Sequence, residues 1–223
     1  REDEGRGGSL RIHQRLQPGR TLLISRPRNH FPLVPEATKS LLLAGGIGVT
    51  PMMSMAHELH AQGKDFDFYY KSKTRAGAAF VDRLAVQPWS DKVHFYPSDE
   101  NRLDISTILN DYADGNHLFT CGPVAFMDAV FETATTYGWP EEALHREFFA
   151  APEGLEYENH PFKLVLASSG REIDVSADQK ATEALAEAGV AVDTKCSDGI
   201  CGVCATRYLK EESDDIEHRD FVL

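Results

Sequence analysis

The stretch Ser40-Leu-Leu-Leu-Ala-Gly-Gly-Ile-Gly-Val-Thr-Pro51 restricts the possible folds more than any other part of the chain. Ser40–Leu43 reads as a buried strand that runs into a glycine turn and then a helix. Thr50 fits the helix N-cap, Pro51 the first helical position and Gly63 the stop. A strand, a glycine turn and a helix start together form a site for a pyrophosphate, because the free N–H groups of the first helical turn point at the ligand. Gly46 and Gly48 match the dinucleotide fingerprint G-x-G-x-x-G, but Pro51 takes the place of the third glycine. The acidic residue expected about twenty positions later is also missing. After the second strand, Phe66–Tyr70, the chain reads Lys71-Ser-Lys-Thr-Arg75. This is therefore not the common dehydrogenase version of the fold. Ser72 and Arg75 are the candidate nucleotide contacts in this stretch.

The alternation continues with a helix near Ala78–Val86, strand Val93–Tyr96, a helix from Asp104 through Tyr112 and strand His117–Thr120. Strands separated by helices in this rhythm predict a parallel sheet with helices on both faces. Cys121-Gly-Pro123 follows the last of these strands. It leads into a helix whose Met127, Val130, Phe131 and Ala134 repeat with helical spacing and belong to the core. Gly138 stops that helix, and Leu144–Phe149 reads as a final strand. Cys121 lies at the carboxyl end of a strand, where open α/β sheets bind their ligands; a small buried hydrophobe is the alternative. Ahead of the sheet, Leu16–Ser25 reads as a Pro18-Gly19 turn followed by a short strand, the last part of a β-rich segment. Arg6, Gly7, Gly8 and Ser9 could hold an anion or form a flexible tail.

Three of the four cysteines stand in Cys196-x4-Cys201-x2-Cys204. That is the near part of the plant-type [2Fe–2S] ligand set, which a more distant fourth cysteine completes. Gly199 and Gly202 let such a loop curl around a cluster. No cysteine follows Cys204, and the rival reading is a non-enzymatic nucleotide-sensing module whose three cysteines hold a structural zinc closed by His218, although zinc sites usually present a second pair of ligands. The cysteine loop is preceded by a polar linker over 151–161. A hairpin of Phe162–Ala167 and Glu172–Val175 comes next, then a helix through Ala188 for which Ser176 and Gln179 fit a capping box. Ala205–Leu209 reads as a closing strand.

Charge is unevenly distributed along the 223 residues. Residues 151–223 carry 7 Lys+Arg against 16 Asp+Glu, whereas residues 1–40 carry 8 against 4. The cysteine-bearing segment is thus the most acidic, which argues against nucleic acid and for a basic protein partner. No apolar run is long enough to span a membrane. Thiols in cluster spacing suit a reducing, cytoplasmic setting.

Gly45-Gly-Ile-Gly-Val-Thr-Pro51, Cys121-Gly-Pro123 and His145-Arg-Glu-Phe-Phe149, followed by the cysteine motif, resemble the phthalate dioxygenase reductase and vanillate O-demethylase reductase family. These are reductase components of Rieske-type aromatic oxygenases within the ferredoxin–NADP reductase superfamily. The resemblance implies the end of an FMN-binding β-barrel over 1–33, an NADH-binding α/β domain over 34–150 and, after the linker, a β-grasp plant-type ferredoxin domain over 162–223. It places Arg6, Gly7, Gly8 and Ser9 near the flavin phosphate. Gly45, Gly46, Gly48, Thr50 and Pro51 match the nucleotide loop, with Thr50 near the nicotinamide. Cys121, Gly122 and Pro123 line the approach of the nicotinamide to the flavin. Glu147 and Phe149 match the family's H-x-E-x-F stretch, with Phe149 the aromatic expected to stack on the flavin ring.

By the same resemblance, Cys196, Cys201 and Cys204 ligate the cluster. The remaining barrel and the fourth cysteine would lie beyond the two ends, so the chain is expected to be part of a longer protein. NADH is expected over NADPH, although Lys71, Lys73 and Arg75 could meet a 2′-phosphate. The expected electron acceptor is a Rieske-type terminal oxygenase or a ferredoxin docking on the acidic domain.

Overall fold

The computed structural model describes residues 7–24, 26–27, 29–149, 158–194, 199 and 203–207. Five parallel strands form its centre: β1 (Lys39–Gly45), β2 (Asp65–Ser72), β3 (Val93–Pro97), β4 (Asn116–Cys121) and β5 (Leu144–Glu147), in the order β3-β2-β1-β4-β5. The helices are α1 (Gly8–Arg15), α2 (Val49–Ala61), α3 (Val81–Ala85), α4 (Ile105–Leu109) and α5 (Val124–Thr136). Crossover helices cover both faces, so β1 and the end of β4 are buried at consecutive positions, whereas β2 alternates. Leu42 and Ala44 pack toward α2 with Phe66, Phe68, Tyr70 and Trp89. Their neighbours Leu41 and Leu43 pack toward α4 and α5 with Leu118, Met127, Val130 and Ala134. Each large side chain fully removed from water here contributes about 1.5–3 kcal/mol.

Several boundaries differ from the sequence reading for local reasons. Thr50 is not the N-cap, because a 3-10 turn over Gly46–Gly48 leads directly into α2, which starts at Val49. The Thr50 hydroxyl donates to the Ile47 carbonyl at 3.0 Å. Pro51 thus falls within the first turn, where its missing N–H costs nothing. Helix α3 is shorter than expected because Phe80, at φ 62°, precedes it in the left-handed region. Asp104 does cap α4, accepting from the Ser106 N–H at 3.0 Å, but that helix ends at Leu109.

The strand expected after Pro18-Gly19 is not formed among the described residues. Thr21–Ile24 belong to no sheet and Leu23 is 99% exposed. A strand needs a hydrogen-bonding neighbour, and the described residues put none beside it. Helix α1 forms ahead of this segment, with Gly7 at φ 80° as its N-cap.

Further along, β6 (Phe162–Val165) and β7 (Glu172–Val175) form the expected antiparallel hairpin, and α6 spans Ala181–Glu187. Ile173, Val175 and Ala184 form a small core there. The Ser176–Gln179 capping box does not form. Ser176 donates instead to the Asp178 carboxylate, and Glu183 accepts the Lys180 N–H at 3.1 Å at the helix start. Ala205–Arg207, three of the five residues of the expected closing strand, lie outside any strand, and positions 208 and 209 are outside the described residues.

One feature of the sheet predicts its acid stability. His117 Nδ1 and His145 Nε2 are 3.0 Å apart on β4 and β5, and His145 stacks on Phe119. Burial holds both imidazoles below their ordinary value of 6.5, and for His145 the neighbouring imidazole adds to the effect. The unfolded chain therefore binds protons that the folded chain refuses, and stability is lost as pH falls through 6.5 toward the lower folded values. Glu36 and Glu142 oppose this at His117 without reversing it. Replacing His145 with glutamine should flatten the fall in Tm between about pH 7 and pH 5. Parallel wild-type and variant profiles would show that the pair does not control it.

Candidate functional site

The sheet order brings most of the expected site residues to one edge, the carboxyl ends of the strands. Register pairs Ala44 with both Tyr70 and Cys121, and Cys121 with Glu147. From one side of the sheet to the other, this edge carries Ser72 and the loop to Arg75, then the glycine turn, then Cys121-Gly-Pro, then Glu147 and Phe149. An extended ligand lying along it would meet them in that order.

The glycine turn and the Cys121-Gly-Pro turn are packed backbone to backbone. A Cβ on Gly48 would overlap the carbonyl group of Cys121 and stand 2.7 Å from the Gly122 nitrogen. One on Gly122 would come 2.8 Å from the Gly45 Cα, and one on Gly45 would come 2.8 and 2.9 Å from the Phe126 and Pro123 side chains. Gly46 is different. It adopts φ 56° with open space where its Cβ would be, so the glycine serves the turn and leaves the surface free for a ligand. Three close approaches and one open left-handed position fit a pyrophosphate cradle at the start of α2.

Cys121 is 1% exposed. Burial, with a smaller contribution from the Glu147 charge, pushes its thiol up to about 12. The thiol therefore stays protonated and cannot act as a thiolate. Burial likewise raises the Glu147 carboxyl, and His30 partly offsets this. The sequence reading missed His30. The side chain of Asn29 accepts the Phe31 N–H at 3.0 Å, and Phe31 packs edge-on against Phe119, so this Pro-flanked segment is anchored against the sheet. Its signal was the turn chemistry of Asn29.

The final strand, expected through Phe149, ends at Glu147, and the two phenylalanines that follow it have different surroundings. Phe148 packs with the α4–α5 core beneath the Arg146 guanidinium, 4.8 Å from its ring, and Arg146 also pairs with Asp128 at 3.0 Å. Phe149 is 50% exposed and available to a planar ligand.

At the opposite end of the edge, the Ser72 hydroxyl donates to the Thr74 carbonyl, so Ser72 shapes the loop. Arg75 is held by Glu100 in a bidentate pair, with both contacts at 2.9 Å. Gly7, Gly8 and Ser9 lie at the start of α1, outside the sheet. Arg6, Cys196, Cys201 and His218 are outside the described residues. Cys204 is half-buried, in a turn with Val203, and Gly199 has φ 74°. Among the described residues no helix is long and apolar enough to cross a membrane.

Comparison with known proteins is consistent with this arrangement. Residues 21–144 match the N-terminal domain of the dimethylamine monooxygenase subunit DmmA-like family, and residues 164–222 match the 2Fe-2S iron-sulfur cluster binding domain. The second match sets aside the zinc reading of the cysteine loop. The vanillate O-demethylase oxidoreductase of Pseudomonas sp. (strain HR199 / DSM 7063) is 41% identical over 226 residues, an alignment that covers 100% of this chain and 70% of that protein. An intact type IV self-sufficient cytochrome P450 monooxygenase superimposes with a TM-score of 0.85 at 40% identity, over 100% of this chain and 29% of the other. Phthalate dioxygenase reductase, described as a modular structure for electron transfer from pyridine nucleotides to [2Fe–2S], superimposes with a TM-score of 0.69 at 35% identity, over 92% of this chain and 64% of the other. The chain belongs to the family of vanillate O-demethylase oxidoreductases and phthalate dioxygenase reductases, the reductase components of oxygenase systems.

Proposed function

We propose that the chain carries electrons from NADH through FMN to a [2Fe–2S] cluster and on to a terminal oxygenase. The observation that carries the reading is the shared edge. The glycine cradle, Cys121-Gly-Pro and the Glu147–Phe149 face stand side by side, in a chain that also matches a 2Fe–2S domain. A bound flavin accepts a two-electron hydride and passes electrons on singly, which nicotinamide and a [2Fe–2S] centre cannot exchange directly.

In this reading the chain divides into 1–33, 34–150, a linker over 151–161 and 162–223. Gly45, Gly46, Gly48 and the start of α2 hold the pyrophosphate, and Thr50 and Pro51 border the nicotinamide. Cys121, Gly122 and Pro123 form the wall against which the nicotinamide lies, and Phe149 covers the flavin ring. Gly7, Gly8 and Ser9, with Arg6, hold the flavin phosphate; the left-handed Gly7 at the start of α1 suits that role. Cys196, Cys201 and Cys204 ligate the cluster. The acidic segment over 151–223 offers a Rieske-type oxygenase or a ferredoxin a docking surface steered by charge, and the thiols suit a cytoplasmic compartment.

An absorption spectrum tests the reading. Flavin and iron–sulfur bands that bleach on adding NADH support it, and a colourless protein would sink it. Replacing Cys201 with serine should leave flavin reduction by NADH in place and abolish reduction of a one-electron acceptor such as cytochrome c. Full cytochrome c reduction in that variant would remove the ligand assignment.

A further inference from the structure

The acidic residue that nucleotide-binding sheets place after β2, where it meets the ribose hydroxyls, is absent from this sequence at that position. The fold supplies a carboxylate there from the turn after the next strand. Ser72 and Pro97 are register partners at the ends of β2 and β3, and the Ser98 N–H and hydroxyl donate to the Ser72 carbonyl at 2.9 and 3.0 Å. This joins the two loops at their bases. After β3, the N–H groups of Glu100 and Asn101 close a turn on the Pro97 carbonyl. After β2, the Gly77 N–H donates to the Thr74 hydroxyl and the Ala78 N–H to the Arg75 carbonyl. The two turns aim Arg75 and Glu100 at each other.

We propose that Glu100, by holding Arg75 in this bidentate pair, is the residue that makes the site select a dinucleotide without a 2′-phosphate. The inference rests on the nucleotide reading given above. Arg75 is the cation of this loop best suited to a phosphate, since its planar fork matches the oxygens. Here the Nε–Nη2 edge of the guanidinium is taken by the carboxylate, which balances its charge, and the guanidinium lies over the Phe95 ring at 5.0 Å. Asp99 adds negative charge beside the pair. A depression of about 520 Å³ next to it is lined by Arg75, Phe80, Asp82 and Arg83. Arg83 lies over the Phe80 ring at 5.6 Å, so a released Arg75 would give this depression two cations against the one Asp82 carboxylate. With Glu100 in place, a 2′-phosphate meets a neutralised arginine and two carboxylates. A ribose hydroxyl meets no such repulsion.

The test is calorimetric titration of the protein with NAD⁺ and NADP⁺ at low ionic strength, for wild type, Glu100→Gln and the double variant Arg75→Ala with Glu100→Gln. Glu100→Gln should shift the ratio of the two dissociation constants toward NADP⁺ by about ten-fold, and added salt should shrink that shift. The double variant should return to the wild-type ratio, because the gain requires the freed guanidinium. An unchanged ratio in Glu100→Gln, with NAD⁺ still bound, overturns the proposal, as does a shift that persists without Arg75. A wild-type protein that binds neither nucleotide overturns the nucleotide reading, and this inference falls with it.

Discussion

Replacing Gly48 with alanine is expected to cost about 3 kcal/mol or more, since the new methyl group meets backbone that no rotamer change can move aside. Gly48 has an ordinary helical conformation, φ −60° and ψ −6°, so alanine is conformationally acceptable there. Only the overlap with the Cys121 carbonyl group and the contact with the Gly122 nitrogen act. The glycine turn and the Cys121-Gly-Pro turn would have to separate, and both contribute to the proposed site. Tm should fall by roughly 6–12 °C, and NAD⁺ binding should weaken by roughly ten-fold or more as the cradle loses its preorganisation. Gly46→Ala is the control with the opposite cause. Its left-handed φ of 56° penalises alanine by roughly 1–2 kcal/mol, but nothing stands within 4 Å of the added carbon. Thermal melts and NAD⁺ titrations of the two variants separate steric from conformational cost. A Gly48→Ala protein that melts and binds like wild type would show that the two turns are not in backbone contact.

The sheet was legible because its strands are apolar runs punctuated by glycine and proline. Ser40–Leu43, Phe66–Tyr70, Val93–Tyr96 and His117–Thr120 each fall inside an observed strand. Helix ends were less legible, since they depend on single dihedral angles. Nothing in the string around Phe80 announces φ 62°, and nothing around Thr50 announces that Gly46 has already turned the chain into a 3-10 turn. The site was legible as motifs but not as contacts. The glycine loop and Cys121-Gly-Pro were each visible, whereas the absence of room between Gly48 and Cys121 follows from pairing strands far apart in sequence. The same limit hid Glu100. Read in order, Lys71, Lys73 and Arg75 are cations available to a phosphate, and only the β2–β3 register shows that Arg75 is already engaged. Just beyond β5, Phe148 packs in the core while Phe149 is exposed, a distinction that the two adjacent letters do not carry.

Replacing Cys121 with serine is expected to slow flavin reduction by NADH by roughly 10- to 100-fold, the range in which a small misplacement of reacting groups falls, while leaving the cluster absorbance in place. The argument begins from the thiol's surroundings. A side chain 1% exposed with its thiol pushed up to about 12 is neutral throughout the physiological range, so its contribution cannot be nucleophilic. What remains is shape and softness: a polarisable side chain packed in the core directly behind the turn whose carbonyl meets Gly48. Serine is smaller and carries a hydroxyl that demands a hydrogen-bond partner, so it leaves a gap and pulls on the backbone of the proposed nicotinamide site. The pH behaviour gives an independent check. The thiol ionises near 9.0 in the unfolded chain and only near 12 in the folded one, so between those values the unfolded state holds fewer protons. Stability is therefore fully present below 9.0 and declines as pH rises above it. The serine variant lacks this titration, and its denaturation midpoint should fall less than that of wild type between about pH 8 and about pH 11. Unchanged hydride-transfer kinetics together with parallel alkaline profiles would place Cys121 outside the site and leave it a core residue only.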